Sequence, residues 1–600
     1  MAGVKPDFKI YDTVPKAFWY HVNQKPKSVA NWIKSQGIWQ AQTWEEYGHL
    51  VKRIGLGLKF FGVSKGDKVS ILSQTRMEWV ACDMGIIGIG GITAPIYHSN
   101  TAEQIQYIAE HSEAKLMFLE DQEQLDKIIE VRDRLPSVKK IIVFDDYAPK
   151  DIPNVISFRE FIENAIADDS FEKCIEKSNP SDVISFIYTS GTTGDPKAGV
   201  ITNKNVISSI KHLPKILDIS EKDLTIAYLP LAHIAERLLG HFLKLVCGNQ
   251  TAFAESIEDM PNNIRQVGPS IMFGTPRVFE KFYAKISTGI SDATWFQKKI
   301  YYWAIDIGKE ISKSNGSNSF FLKIKEMLAK YFIYNKIKKI FGGRIRYMVS
   351  GAAPISPDIV HFFNWMNISI LEGYGMTETT GIISINTPNA IRIGSVGKPY
   401  PNTQVRIAKD GEICVNAPQN IDKYFNDKEA SARLLEPDNN GKFWLHTGDV
   451  GYVDDEGYLF ITDRKKDILI TAGGKNVAPQ YIENLLKTIS YVSQSMVYGD
   501  AKPYLTALIT LDEDEITKFA RDHKILYQDL ADLSKKEQVV ELIKNEIQLM
   551  NKKLPSYETI KKFKVLEQDF DQDKDELTPT FKVKRKVVID NYKVLLDSMY

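Results

Sequence analysis

The chain has 600 residues, 43% of them hydrophobic, 11% aromatic and 25% charged, the make-up of a globular protein with two or more domains. Lysine plus arginine and aspartate plus glutamate each number 76, so the net charge is zero and the electrostatic case for a nucleic-acid binder is removed. Four separated cysteines (Cys82, Cys174, Cys247 and Cys414) form no metal-ligand pair and fit a reducing, cytoplasmic setting.

Met1 to Asp7 lacks the cationic start and apolar core of a signal peptide. Thr43-Trp44-Glu45-Glu46 is a capping box. Behind it Trp44, Tyr47, Leu50, Val51, Ile54 and Leu58 recur at helical spacing, and Gly62 is a suitable stop. A strand is expected at 68–72 and a helix around 79–87. The most apolar segment, 85–97, is too short for the roughly 20 residues of a membrane span and reads as a buried helix-to-loop piece. Asn100 or Thr101 caps a helix to about His111, and 115–119 and 139–144 read as short strands with a helical segment between them. This alternation predicts an α/β fold with a largely parallel, helix-covered sheet.

The segment 279–340 is helical in pattern and rich in lysine and aromatics, with a loop at Ser314-Asn315-Gly316-Ser317; 344–349 returns to strand. Past Asp410 the texture is β-rich, with short strands at 411–415, 451–453 and 458–462 and a hairpin turn at 454–457. From Ile468 a compact α+β unit runs to the end. The charged run Asp463-Arg464-Lys465-Lys466-Asp467 is the expected linker, dividing the chain into 1–463 and 464–600.

The apolar run 183–187 reads as a buried strand and leads into Tyr188-Thr189-Ser190-Gly191-Thr192-Thr193-Gly194-Asp195-Pro196-Lys197. Glycines bring backbone N–H groups close to an anion, hydroxyls add donors and Lys197 adds charge, so this loop suits phosphate. Pro196 separates Gly194 from Lys197, so the spacing is not that of a Walker loop. In Leu371-Glu372-Gly373-Tyr374-Gly375-Met376-Thr377-Glu378-Thr379, glycines free the backbone on both sides of Tyr374, whose ring can lie against a base. Thr377 and Glu378 offer oxygens to a hard cation such as Mg²⁺. Ser350-Gly351-Ala352-Ala353-Pro354 supplies small residues after a strand. Trp444-Leu445-His446-Thr447-Gly448-Asp449 places a carboxylate at an expected strand end, suited to sugar hydroxyls, with Arg464 fifteen residues on. In the tail 577–586, one lysine can neutralise charge in phosphoryl transfer, while Lys584 and Lys586 read as solvated.

Together and in this order, these segments resemble the acyl-adenylate-forming enzymes from about Tyr11 to about Lys586. The stretches 228–237, 274–281 and 342–354, with the helical insert after Lys281, are similar to the AMP-forming long-chain fatty acid CoA ligases. The resemblance implies a large N-terminal domain with a small β-rich subdomain and a mobile C-terminal domain. It implies ATP, Mg²⁺ and CoA as cofactors and co-substrates. Thr189, Ser190, Gly191, Thr192, Thr193, Gly194 and Lys197 would embrace the β- and γ-phosphates. Gly351, Ala352, Glu372, Gly373 and Tyr374 would frame the adenine. Thr377 and Glu378 would hold Mg²⁺ and phosphate oxygens, and Asp449 and Arg464 the ribose. Lys582 matches the tail lysine of the first half-reaction, and Lys466 the hinge. Gly473, Gly474 and Lys475 match the loop lining the CoA tunnel, and His233 borders the acyl pocket. Ala198, Asn203 and Lys423 depart from the family's usual Gly, His and Gly.

The implied reaction makes acyl-AMP and then acyl-CoA. Another carboxylate (an aryl or medium-chain acid) or a carrier-protein acceptor is the alternative. A phosphotransferase would release ADP instead. The lysine- and aromatic-rich insert leaves contact with the inner face of a membrane open beside a solvated helix pair. Acyl chain length and oligomeric state are not legible.

Overall fold

A computed structural model describes residues 12–145, 152–189, 195–257, 259–313, 319–578 and 581–600. The first half is built on a seven-stranded sheet. Its order is Val155–Ser157, Lys140–Val143, Ala114–Leu119, Lys68–Leu72, Ile92–Ile96, Val183–Thr189, Lys197–Thr202. Every neighbouring pair is parallel except the last, which folds back antiparallel around the phosphate-loop segment.

The segment 85–97 corrects the helix-to-loop expectation. Helix Met77–Gly88 ends in a tight turn, and Ile92–Ile96 is a wholly buried strand in mid-sheet. A parallel strand covered on both faces reads as an unbroken apolar run, without the alternation that marks a half-exposed strand. The predicted capping box is present: Glu46 N–H donates to Thr43 Oγ1 at 3.2 Å, and Thr43 N–H donates to the Glu46 carboxylate at 2.7 Å. The capped helix Trp44–Phe60 crosses Met77–Gly88 where Gly85 allows close approach; a Cβ there would lie 2.6 Å from Ile54 Cγ2. Thr101, not Asn100, caps helix Ala102–His111.

A second sheet sets Ile271–Gly274, Tyr347–Ser350 and Ser369–Tyr374 side by side in parallel, continued antiparallel by two short strands. The strand expected at 344–349 begins only at Tyr347, because Arg344 is turned out to the carbonyls of Val267 and Gly268. The helical insert forms Pro276–Ser291, Trp295–Lys313, Phe320–Ala329 and Asn335–Ile340; the loop expected at 314–317 lies outside the described residues. Beyond it comes an antiparallel sheet of Gln404–Ile407, Glu412–Asn416, Phe443–Val453, Leu435–Pro437 and Leu459–Arg464.

The smaller C-terminal domain packs Val492–Tyr498, Leu505–Leu511 and Ile560–Val565 against helices Pro479–Leu486 and Glu537–Asn551. The charged run before it is no free linker. Asp463 and Arg464 complete strand Leu459–Arg464, and the turn begins only at Lys465.

Candidate active site

The second sheet delivers the adenine-candidate residues. Ser350 ends one strand, so Gly351 and Ala352 lie just past its C-terminal end, where parallel sheets bind ligands. Ala352 is held at φ +68°, a strained geometry for a residue with a Cβ. Glu372, Gly373 and Tyr374 are strand residues, the last two paired with Ile385 and Ser384. The turn comes at Gly375, where a Cβ would collide with the Gly381 carbonyl. Glu372 is buried and accepts from Gly394 N–H at 3.3 Å. Burial pushes its carboxyl up to about 8, so it stays protonated at neutral pH and can donate as well as accept.

Tyr374, Asp449 and Arg464 converge. The Tyr374 hydroxyl donates to Asp449 Oδ2 at 2.6 Å, and Arg464 Nε donates to Asp449 Oδ1 at 3.1 Å. Asp449 and Arg464 face each other across an antiparallel hairpin, so their spacing in sequence is a strand register. Asp449 does not end a strand, as expected, but lies inside the eleven-residue strand Phe443–Val453, which also replaces the separate strand expected at 451–453. A bulge between Val450 and Gly451 re-aims the pairing beside it.

Ser190, Gly191, Thr192, Thr193 and Gly194 lie outside the described residues. The loop's flanks, Thr189 and Lys197, are paired with each other in the antiparallel hairpin. Lys197 Nζ lies 5.7 Å from the centre of the Tyr424 ring, and the Tyr424 hydroxyl donates to Glu378 Oε1 at 2.6 Å. Strand Lys197–Thr202 is laced to that tyrosine's segment, with Val200 N–H donating to Lys423 O at 3.2 Å and Phe425 N–H to Ala198 O at 2.8 Å. Thr377 abuts the same strand at Gly199. Among the described residues no cluster of three or more His, Cys, Asp or Glu could hold a metal by itself. The oxygen-only pair Thr377 and Glu378 nevertheless fits a hard cation completed by phosphate oxygens. Tyr424 carries no motif of its own, and sequence reasoning missed it.

The tail lysine reaches this cleft. Lys582 is exposed. Desolvation by the groups around it and then the Arg464 charge lower its pKa to about 8, against the opposing pull of Asp449. His233 nearby is half-buried; desolvation and then Lys582 hold its imidazole down at about 4, hence neutral. The Lys582 backbone is fixed by Thr578: Lys582 N–H donates to Thr578 Oγ1 at 3.0 Å, and Thr578 N–H to Lys582 O at 2.8 Å. Lys584 is ion-paired with Asp575.

Gly473, Gly474 and Lys475 are not part of this constellation. They form an exposed turn whose contacts are Thr471 and, at 6.0 Å, the Tyr557 ring. Lys466 is exposed in the turn between the domains, its pKa lowered by partial desolvation and then by Arg464.

A buried polar knot supports His233. Arg237 donates from Nε to Asp83 Oδ2 at 3.1 Å and from Nη1 to Ser185 Oγ at 2.5 Å, and Thr93 Oγ1 donates to Asp83 Oδ1 at 2.6 Å. His241 Nε2 lies 3.2 Å from Asp83 Oδ2. Residues Arg237–Phe242 are wound wider than an α-helix, with Leu243 N–H donating to Leu238 O at 2.8 Å, a pattern that recurs at functional sites.

The fold is that of the adenylate-forming enzymes. An anthranilate CoA ligase, AuaEII, solved with anthranoyl-AMP, superposes with a TM-score of 0.74 at 19% identity, covering 98% of each chain. The o-succinylbenzoate CoA synthetase MenE of Bacillus subtilis, solved with ATP and magnesium, gives a TM-score of 0.65 at 21% identity, covering 95% of this chain and 98% of that one. The chain belongs to the AMP-binding enzyme family, which matches residues 18–425, with the AMP-binding enzyme C-terminal domain over 466–600. Among its relatives, the long-chain-fatty-acid–CoA ligase FadD15 of Mycobacterium tuberculosis is 32% identical, over 98% of this chain and 97% of that protein. The long-chain-fatty-acid–CoA ligase ACSBG2 of Xenopus laevis is also 32% identical, over 98% of this chain and 84% of its own.

Proposed function

We propose that the chain is an AMP-forming long-chain fatty acid–CoA ligase. The observation that carries this reading is Lys582 held between His233 and the Asp449–Arg464 pair, in a chain similar to such ligases along nearly its whole length. A carboxylate is a poor acyl donor because its leaving group would be oxide. The fatty acid carboxylate oxygen attacks the α-phosphorus of ATP, the bond to the β-phosphate oxygen breaks, and pyrophosphate leaves.

Two anions meet in that step, and Lys582 supplies the cation beside them. Lys197 and the phosphate loop hold the departing phosphates. Asp449 and Arg464 fix the ribose, and Glu372 and Tyr374 border the adenine. Mg²⁺, bound at Thr377 and Glu378, would screen phosphate charge. His233, neutral and half-buried, offers an uncharged wall to an apolar chain. In the second step the CoA thiolate attacks the acyl carbonyl and AMP leaves. For that step the C-terminal domain turns about Lys466, withdrawing Lys582 and bringing up Gly473, Gly474 and Lys475.

A series of acids of increasing chain length, assayed for AMP and pyrophosphate with and without CoA, tests the reading. Long acids forming acyl-CoA and AMP support it. Formation of ADP, or turnover only with aryl acids or a carrier-protein thiol, overturns it.

A further inference from the structure

Eleven of the 26 exposed large apolar side chains among the described residues fall between Trp295 and Phe332, in the helical insert. On helix Phe320–Ala329, Phe320, Ile324 and Met327 follow one another at helical spacing, with Phe321 and Leu328 alongside. At about 100° per residue these five cover about 120° of the circumference. Phe320 and Phe321 are 74% and 76% exposed, and Tyr331 on the next turn is 73% exposed.

A solvated helix turns its one apolar stripe inward. This helix already buries Leu322 and Ala329 on its inner side, so the outward stripe is a second one. Helix Trp295–Lys313 adds Trp295 and Phe296 at its first turn, 68% and 65% exposed.

The rim of this face is basic. Ten lysines stand against three carboxylates between Trp295 and Lys339, a concentration of positive charge in a chain whose net charge is zero. By the same helical geometry Lys323 and Lys330 flank one edge of the stripe and Lys325 the other. A second copy of the chain would bring two such rims together and be repelled; lipid phosphates would not. Among the described residues no helix is long and apolar enough to cross a membrane, so the face can only lie on one.

We propose that helices Trp295–Lys313 and Phe320–Ala329 seat the protein on an anionic lipid surface. The aromatic rings enter the boundary between headgroups and acyl chains, and the lysines meet lipid phosphates. The proposal is independent of which acid is activated.

The test is flotation of the full chain with vesicles of phosphatidylcholine, with and without about one-third phosphatidylglycerol. The expected result is binding that needs the anionic lipid, weakens in high salt and falls at least about tenfold in F320S/F321S. A second variant, K323E/K325E, should lose binding while leaving the apolar stripe intact. Pyrophosphate exchange on a short soluble acid should stay within about twofold in both variants, showing that each is folded. Absence of vesicle binding by the unmodified chain, binding indifferent to anionic lipid, or binding by either variant as strong as that of the unmodified chain overturns the proposal. So does light scattering that shows a dimer dissolved by F320S/F321S without vesicle binding.

Discussion

Arg277 of the large domain clasps Ser493 of the small one with two hydrogen bonds of 2.6 Å, one to the backbone carbonyl and one to the side-chain hydroxyl. Thr288 donates to Glu515 at 2.6 Å and Lys553 pairs with Asp358 at 2.9 Å across the same boundary. This arrangement carries Lys582 into the cleft. Arg277→Ala should therefore slow adenylation about tenfold, the scale set by losing hydrogen bonds from a charged donor. Thioester formation from added acyl-AMP should stay within about twofold. Single-turnover pyrophosphate release, compared with AMP release from added acyl-AMP, separates the two; an equal loss in both would contradict the assignment.

Lys582 sets an alkaline limit. With its pKa lowered to about 8, it loses its proton as pH rises through that value, and the charge beside the α-phosphate disappears. Adenylation should decline above about pH 8, and Lys582→Arg, which stays protonated, should flatten that limb. Lys582→Ala should cost at least about a hundredfold in pyrophosphate release at neutral pH. A pH profile of the first half-reaction that is unaltered in Lys582→Arg would refute the role.

Tyr424→Phe removes the hydroxyl that orients Glu378. Adenylation should fall about tenfold, with a higher magnesium requirement, while unfolding in urea changes by no more than about 1.5 kcal/mol. A magnesium titration of pyrophosphate release reads this directly.

Arg237→Met leaves Asp83 a buried carboxylate without its guanidinium partner. Breaking such a pair costs about 3–5 kcal/mol, seen as a drop in the urea midpoint. The drop should be smaller in the double variant with Asp83→Asn, which removes the orphan charge.

Glu236 is buried, and burial, opposed by a backbone hydrogen bond from Tyr228, pushes its carboxyl up to about 8. The folded protein thus holds a proton that the unfolded chain releases near its ordinary value. This group makes stability fall as pH rises from about 4.5 to about 8, by at most about 1.4 kcal/mol per unit. Glu236→Gln should flatten that decline. Urea midpoints across the window that fall equally in both proteins would exclude the effect.

Features made by neighbours along the chain are legible in the sequence. The box at Thr43 needs only Glu46, three residues on. Features made by distant segments are not. The Arg237–Asp83 pair joins residues 154 apart and the Tyr424–Glu378 bond residues 46 apart, and no pattern announces either. Asp449 and Arg464 are recognisable one by one, but their opposition depends on a hairpin register with a bulge. The tail shows several lysines of equal chemistry. Only packing separates Lys582 in the cleft from Lys584 on Asp575.

Arg464 is at once the partner of Asp449 and the last residue of its strand, two positions before Lys466. Lys582 lies near Arg464 in this arrangement but belongs to the domain beyond Lys466, whereas Arg464 belongs to the strand before it. Under the proposed turn about Lys466, the lysine would leave with its domain while Asp449 and Arg464 stayed behind, so one nucleotide could stay gripped through both halves of the cycle.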